Sequence, residues 1–323
     1  QLLGFQNLLD NTTSYSFPDE LVENNFDDST TGAELLGFYL QSVLRPIQGL
    51  TLSTGIRLDD YKATSVGFLD TNEIDAATDT EEFTWRLGLS YEIDSIATNL
   101  YASLATGFTP NLRAVTASGE FVEPETSKQA ELGFKTDFAD GDVLLTVAAY
   151  RLIQEDVAVE DPDNRAFSVN GGEVTSDGLE IELAGEPLPG MNFSFGVAFM
   201  DPETTSSNGV FGLMEGEQPR GTTSLNAGGL ISYTIGDGRL KGLRVGGSIR
   251  HLGERETTSP LPDSDLEGFT VANVFFEYAF RGVDIGLFIN NITDELYVES
   301  SNLPNNTYFG FERNVTLRVG ASF

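Results

Sequence analysis

Residues 313–323 read RNVTLRVGASF, and in this stretch Val315, Leu317, Val319, Ala321 and Phe323 alternate with Asn314, Thr316, Arg318, Gly320 and Ser322. A two-residue period puts the first set on one face of a strand and the second set on the other. One face suits hydrocarbon and the other suits water. Alternation that runs to a C-terminal aromatic residue is the pattern of the closing strand of an outer-membrane β-barrel.

Working back along the chain, the same period recurs. From Phe83 to Ile93, the residues Phe83, Trp85, Leu87, Leu89, Tyr91 and Ile93 share one face, and Thr84, Arg86, Gly88, Ser90 and Glu92 share the other. A soluble sandwich also alternates, but its second face is rarely this rich in Arg, Glu, Gly and Ser, which suit a polar lumen. About thirteen segments qualify as strands. Besides Phe83–Ile93 and Arg313–Phe323 they are Glu34–Arg45, Gly49–Tyr61, Thr98–Phe108, Ser127–Phe138, Asp142–Val157, Glu173–Ala184, Met191–Asp201, Gly221–Ile235, Leu240–Leu252, Phe269–Phe280 and Gly282–Asn291. Val143, Leu144 and Leu145 leave the facing of Asp142–Val157 open, and QLLGFQNLL at the start is a candidate fourteenth strand. The expected fold is all-β: a transmembrane, antiparallel, up-and-down β-barrel with 13–14 strands in this chain.

Connection lengths alternate as well. Short links at Pro46–Gln48, Asp94–Ala97, Ala139–Gly141, Gly185–Gly190, Gly236–Arg239 and Arg281 are separated by links of roughly fifteen to twenty residues. The long ones are Asp10–Ala33, Lys62–Glu82, Thr109–Thr126, Ala158–Gly172, Pro202–Arg220, Gly253–Gly268 and Ile292–Glu312. Barrels of this kind keep short turns in the periplasm and long loops outside, so the C-terminus is expected to be periplasmic. Tyr91, Phe138, Phe193, Tyr233, Phe280 and Phe323 would form the periplasmic aromatic rim, and Phe83, Phe108 and Phe199 the outer one.

Composition removes most other chemistry. The 323 residues include no Cys and one His, which excludes disulfides, thiolate metal sites and most histidine catalysis. A formal charge of −32 repels nucleic acid. No apolar run reaches the roughly 18 residues of a membrane-spanning helix. The chain opens at Gln1, so an export signal is expected upstream.

Several segments, in order, resemble the C-terminal barrel of TonB-dependent outer-membrane receptors. They are YLQSVLRPIQGLTLSTGIRLDDY (39–61), LYASLATGFTPN (100–111), FVEPETSKQAELGFKTDF (121–138), SDGLEIELAGEPLPGMNFSFGVAF (176–199), QPRGTTSLNAGGLISY (218–233) and NNITDELY (290–297). The third carries a P-E-x-S-x-x-x-E-x-G-x-K pattern through Pro124, Glu125, Glu131, Gly133 and Lys135. In the last, Asn290, Asn291 and Asp294 suit a strand exit held by side chain to backbone bonds.

The resemblance implies a 22-strand barrel around an N-terminal plug. The chain is then expected to be the barrel's C-terminal part, residues 1–323, without plug or TonB-contacting box; a self-closing fourteen-strand barrel is the alternative. It implies a location in the bacterial outer membrane and TonB-energised uptake of a scarce ligand. A ferric siderophore leads among the ligands, with cobalamin, haem and glycans as alternatives. The implied partners are lipid, an iron chelate, the TonB complex, a plug domain and the barrel-assembly machinery, for which Phe323 is the signal; no cofactor and no enzyme activity are implied.

Candidate ligand contacts on the outer links are Tyr61, Phe121, Phe211, Tyr308 and Phe309 for stacking, and Arg113, Arg165, Arg220 and Arg313 for anionic groups. For each, a solvated loop residue or rim anchor is the plainer role. Arg57, Arg86, Glu131, Lys135, Glu180, Glu182, Arg244 and Glu277 are expected to face the lumen and its plug. Asp263, Asp265 and Glu267, and Asp161 with Asp163, have oxygen ligands for a hard cation but complete no EF-hand, so solvated acidic loops are expected. His251 is expected at a strand end on the lipid face, which leaves a barrel-embedded hydrolase without a base. A passive porin would share the barrel and the loop alternation while needing neither plug nor TonB.

Overall fold

The computed structural model describes residues 3–7, 12–16, 28–69, 72–112, 114–164, 167–207, 214–256, 265–280, 282–303 and 306–321. Its strands are β1 (Leu3–Asn7), β2 (Thr12–Ser16), β3 (Asp28–Ile47), β4 (Leu50–Leu69), β5 (Asn72–Ile93), β6 (Thr98–Thr109), β7 (Glu125–Phe138), β8 (Val143–Glu160) and β9 (Ser168–Leu188). They continue with β10 (Met191–Ser206), β11 (Leu225–Thr234), β12 (Leu243–Leu252), β13 (Phe269–Phe280), β14 (Val283–Asn290), β15 (Val298–Leu303), β16 (Asn306–Phe309) and β17 (Asn314–Ala321).

Thirteen strands form one antiparallel meander, β3 to β14 in sequence order with β17 against β14. All thirteen expected segments are in it. The sheet is open among the described residues, with β3 and β17 as its edges. The fourteenth candidate is corrected: β1 pairs only with β2, in a separate two-stranded hairpin.

Register fixes the faces, because residues directly opposite across a ladder share one. Ile56 lies opposite Trp85, Leu87 opposite Leu104 and Leu100 opposite Phe134. Ile181 lies opposite Val197, Phe276 opposite Leu287 and Leu287 opposite Leu317. These residues line one apolar face, and most of their side chains are exposed. In water such an area would be an aggregation surface; against hydrocarbon it is the solvated side. The ambiguity in β8 resolves with Val143, Leu145 and Val147 on the apolar face and Leu144 on the polar one. The described girdle residues Phe83, Tyr91, Phe108, Phe138, Phe193, Phe199, Tyr233 and Phe280 all fall on the apolar face. Phe323 lies outside the described residues.

The two ends differ. At one, connections are tight: residues 48–49 join β3 to β4, with Gly49 at φ 78°, and 189–190 join β9 to β10. At the other, the expected long loops are shorter than the sequence suggested, because strands run on past the apolar belt. β4 and β5 stay paired out to Leu69 and Asn72, and β8 and β9 out to Glu160 and Ser168. There no hydrocarbon selects for alternation, so the hydrophobic pattern stops while the backbone ladder continues through β-branched residues such as Thr64 and Val66. The link Ile292–Glu312 contains the β15–β16 hairpin.

Candidate functional site

The eight expected wall residues share the polar face opposite Trp85. Arg57 faces Thr84, Arg86 faces Gly55, Glu131 faces Ser103 and Lys135 faces Asn99. Glu180 and Glu182 face Ala198 and Gly196, and Arg244 faces Glu277. The Arg57 guanidinium donates two bonds of 2.6 Å to Asp59, whose carboxylate is fully buried. Arg244 donates to Glu277 at 3.2 Å and to the Ser232 hydroxyl at 3.2 Å, with its guanidinium 5.1 Å from the Phe275 ring centre. Arg318, in the terminal strand, reaches the same Glu277 at 2.8 Å and lies 5.4 Å from the Phe288 ring. The sequence reading put Arg318 on the water-facing side of the last strand but singled out neither it nor Phe275 and Phe288 as wall residues. Their alternation was visible, but a partner two strands away was not.

At the long-loop end, residues 114–124 fold over the polar face. The segment closes a small hairpin through Thr116 and Glu120 (N to O, 2.7 Å) and packs Val115 and Phe121 into a cluster with Tyr61, Ala63 and Ala76. Its other side is tied to the start of β9: Ser168 N donates to Val115 O at 2.8 Å, and the Asn170 amide spans Glu123 N and O at 2.9 and 3.1 Å. Tyr61 and Phe121, expected to be exposed stacking rings, are buried at 2 % and 7 % exposure. Aromatic rings in a wet loop find apolar neighbours when a chain segment folds back on them.

The β14–β17 link folds over β12 and β13 in a comparable way. Arg255 is buried and donates to the carbonyls of Val298 (2.8 Å) and Glu299 (2.6 Å). Phe269 lies 4.3 Å from Tyr297, ring centre to ring centre, with Arg250 and Arg255 at 5.0 and 5.5 Å. Arg250 also grips Glu299 with two bonds of 2.9 and 2.7 Å, which hold that carboxyl below the usual range. Burial, with Asp265 and Glu217 nearby, pushes Glu256 the other way. The bonds of Arg250 and Arg255 to Val298 and Glu299 join residues 43 to 49 apart and carry no sequence period.

Asn291 organises the strand exit expected from NNITDELY. It is buried at φ 51°, its Oδ1 accepts from Glu295 N at 2.9 Å, and its Nδ2 donates to Glu295 O and Phe311 O at 2.8 and 3.1 Å. Arg313 pairs with Asp294, 3.2 Å from its guanidinium, with both side chains half exposed. Arg220 is half-buried, with Glu256, Glu217 and Glu160 as its nearby charges. Tyr308 and Phe309 are exposed on β16. Arg113, Arg165 and Phe211 lie outside the described residues.

Among the described residues no group of three or more His, Asp and Glu side chains is placed to hold a metal ion. Asp161 accepts the backbone N–H of Asp163 at 2.9 Å, as in an ordinary turn, and Asp263 lies outside the described residues. His251 sits on the apolar face at the end of β12, 2.9 Å from the Thr270 hydroxyl.

A family model described as TonB dependent receptor-like, beta-barrel matches residues 1–292. The chain belongs to this TonB-dependent receptor family. It is 30% identical over 242 residues to the ferrichrome outer membrane transporter/phage receptor of Escherichia coli K12, covering 73% of this chain and 32% of that protein. It is 27% identical over 292 residues to the ferrioxamine B receptor of Salmonella typhimurium SL1344, covering 89% and 40%. The siderophore receptor PiuA of Acinetobacter baumannii superposes with a TM-score of 0.78 at 20% identity, over 98% of this chain and 50% of that one. At that identity the likeness shows the fold: the open meander corresponds to part of a TonB-dependent receptor barrel. The chain spans about a third to two fifths of the length of these two curated relatives, which are named as a transporter and a receptor.

Proposed function

We propose that this chain is the C-terminal wall of an outer-membrane receptor that takes up a ferric siderophore using TonB. The observation that carries the reading is the two-faced sheet: thirteen paired strands with a charged face opposite a broadly apolar one, which gives way to charged residues such as Arg151 and Asp177 towards the long-loop end. Only a closed barrel in a membrane satisfies both faces and the backbone at once. In this reading the short turns and the C-terminus lie in the periplasm and the long-loop end faces the medium. Phe323 serves as the signal for the assembly machinery. Arg57, Arg86, Glu131, Lys135, Glu180, Glu182, Arg244 and Glu277 face a plug domain, which TonB displaces to release the ligand inward. No bond in the ligand is broken.

Tyr308 and Phe309 are the exposed aromatic candidates for ligand contact, and Arg113, Arg165 and Phe211 stay with them as proposals. Burial argues against direct stacking by Tyr61 or Phe121, and the ion pair to Asp294 argues against Arg313. The test is uptake of radio-iron as ferric chelates by iron-starved cells expressing the full receptor, with and without functional TonB. Accumulation that requires both receptor and TonB is expected. Accumulation that is independent of TonB would indicate a passive pore instead.

A further inference from the structure

Charge is distributed very unevenly along the chain. The seven links of the long-loop end, 10–33, 62–82, 109–126, 158–172, 202–220, 253–268 and 292–312, hold 30 of the 50 carboxylates but five of the 18 lysines and arginines. Three of those five cations lie among the described residues, and each is committed within the protein. Lys62 pairs with Asp79 at 2.8 Å, Arg255 is buried against two carbonyls, and Arg220 sits among Glu160, Glu217 and Glu256. Basic residues of the strands near this end are taken too: Arg151 by Asp177, Arg250 by Glu299 and Arg313 by Asp294. Carboxylates from separate links also crowd one another, as Glu217, Glu256 and Asp265 do.

A second observation concerns what this end offers for contact. Among the carboxylates it also exposes large apolar and aromatic side chains, including Met214, Leu296, Tyr308, Phe309 and Phe311. Such groups hold an organic ligand by area and stacking without requiring it to carry charge. A mouth with a strong field of one sign raises the local concentration of ligands of the opposite sign and lowers that of ligands of the same sign.

Resting on the siderophore-uptake reading, we infer that this receptor selects ferric chelates of zero or positive net charge and excludes polyanionic ones. Three hydroxamates neutralise Fe(III), and a pendant amine makes such a complex cationic. Three catecholates leave it with three negative charges. The inferred cargo is therefore of the tris-hydroxamate class. The carboxylates act together as a field, without any one of them touching the ligand.

The test is binding of three chelates of similar size to the purified full-length receptor: a neutral and a cationic ferric tris-hydroxamate, and a trianionic ferric tris-catecholate. At about 20 mM salt the trianion is expected to bind at least about ten-fold more weakly than the neutral complex, and about 500 mM salt should narrow that gap. The triple variant E215Q/E254Q/E267Q should strengthen trianion binding and leave the neutral complex unchanged. Trianion binding as tight as neutral binding at low salt would overturn the charge rule while leaving siderophore uptake standing. Binding of none of the three would overturn both.

Discussion

Arg318 bonds to Glu277 at 2.8 Å over Gly286, the residue between them on β14 that pairs with both. A side chain at 286 would stand in that path, since a Cβ there would come 2.7 Å from the Phe288 ring and 3.7 Å from Arg318 Nε. Glycine therefore lets the last strand be clasped to the strand beyond its neighbour, with Arg244 on the other oxygen of Glu277.

Steric and ionic contributions to this clasp separate by magnitude. Gly286→Val overpacks a close contact and should cost about 1–3 kcal/mol. Arg318→Ala removes a bond from a side chain that is 64% exposed, worth about 0–1 kcal/mol. The temperature at which the full receptor loses its compact, fast-migrating form in detergent gels should drop clearly for the first and barely for the second. The reverse order would mean that the ion pair, not the close packing, secures the terminal strand.

How far the fold could be read beforehand follows from the same physics. Between lipid and an aqueous interior, alternation is obligatory, so all thirteen strands and the faces of Arg57, Glu131 and Arg244 were legible. Past the belt that pressure ends. The continuation of β4 through Val66 and the burial of Tyr61 depend on a loop folding back from residues 114–124, and no local pattern announces it. Asn291 and Asp294 were legible because their short side chains bond nearby backbone, whereas Arg255 was not, because its carbonyl partners lie 43 and 44 residues away.

Tyr61 anchors the folded-back loop. Tyr61→Ala should remove about 3–5 kcal/mol of local packing and release residues 114–124. Proteolytic cleavage near Gly119 in intact cells should then rise sharply, while Tyr308→Ala, at an exposed ring, should leave cleavage unchanged. Equal cleavage in the wild type and Tyr61→Ala would show that the loop is held by its ties to Asn170 and Ser168 alone.

Acid should loosen the other loop first at Glu299. Its folded-state pKa is depressed by the hydrogen bonds from Arg250, so its contribution is present above the unfolded carboxyl value of about 4.3. It is lost as pH falls through the lower folded value. Amide exchange in residues 297–303 should therefore accelerate on acidification below about pH 4, and Arg250→Gln should abolish that pH dependence. Glu256 has the opposite sign: burial raises its pKa, so protonating it relieves a strain instead of breaking a bond. Slower exchange in 253–256 as pH falls towards about 4.3, before residues 297–303 loosen below it, would separate the two.

The two-faced wall itself can be tested with adjacent residues. Leu104 lies on the apolar face, opposite Leu87 and Ala130, and Ser103 on the polar face, opposite Gly88 and Glu131. An arginine facing hydrocarbon mid-wall costs about 2–4 kcal/mol, whereas a lumenal one is paired or hydrated. Leu104→Arg should therefore sharply reduce the amount of folded, heat-modifiable receptor in the outer membrane. Ser103→Arg, one residue away and next to Glu131, should assemble normally and affect only what the interior binds. Were the sheet instead packed face to face in a soluble sandwich, both substitutions would enter or leave a dry core on different terms, and tolerance of arginine at 104 would exclude lipid as the neighbour of that face.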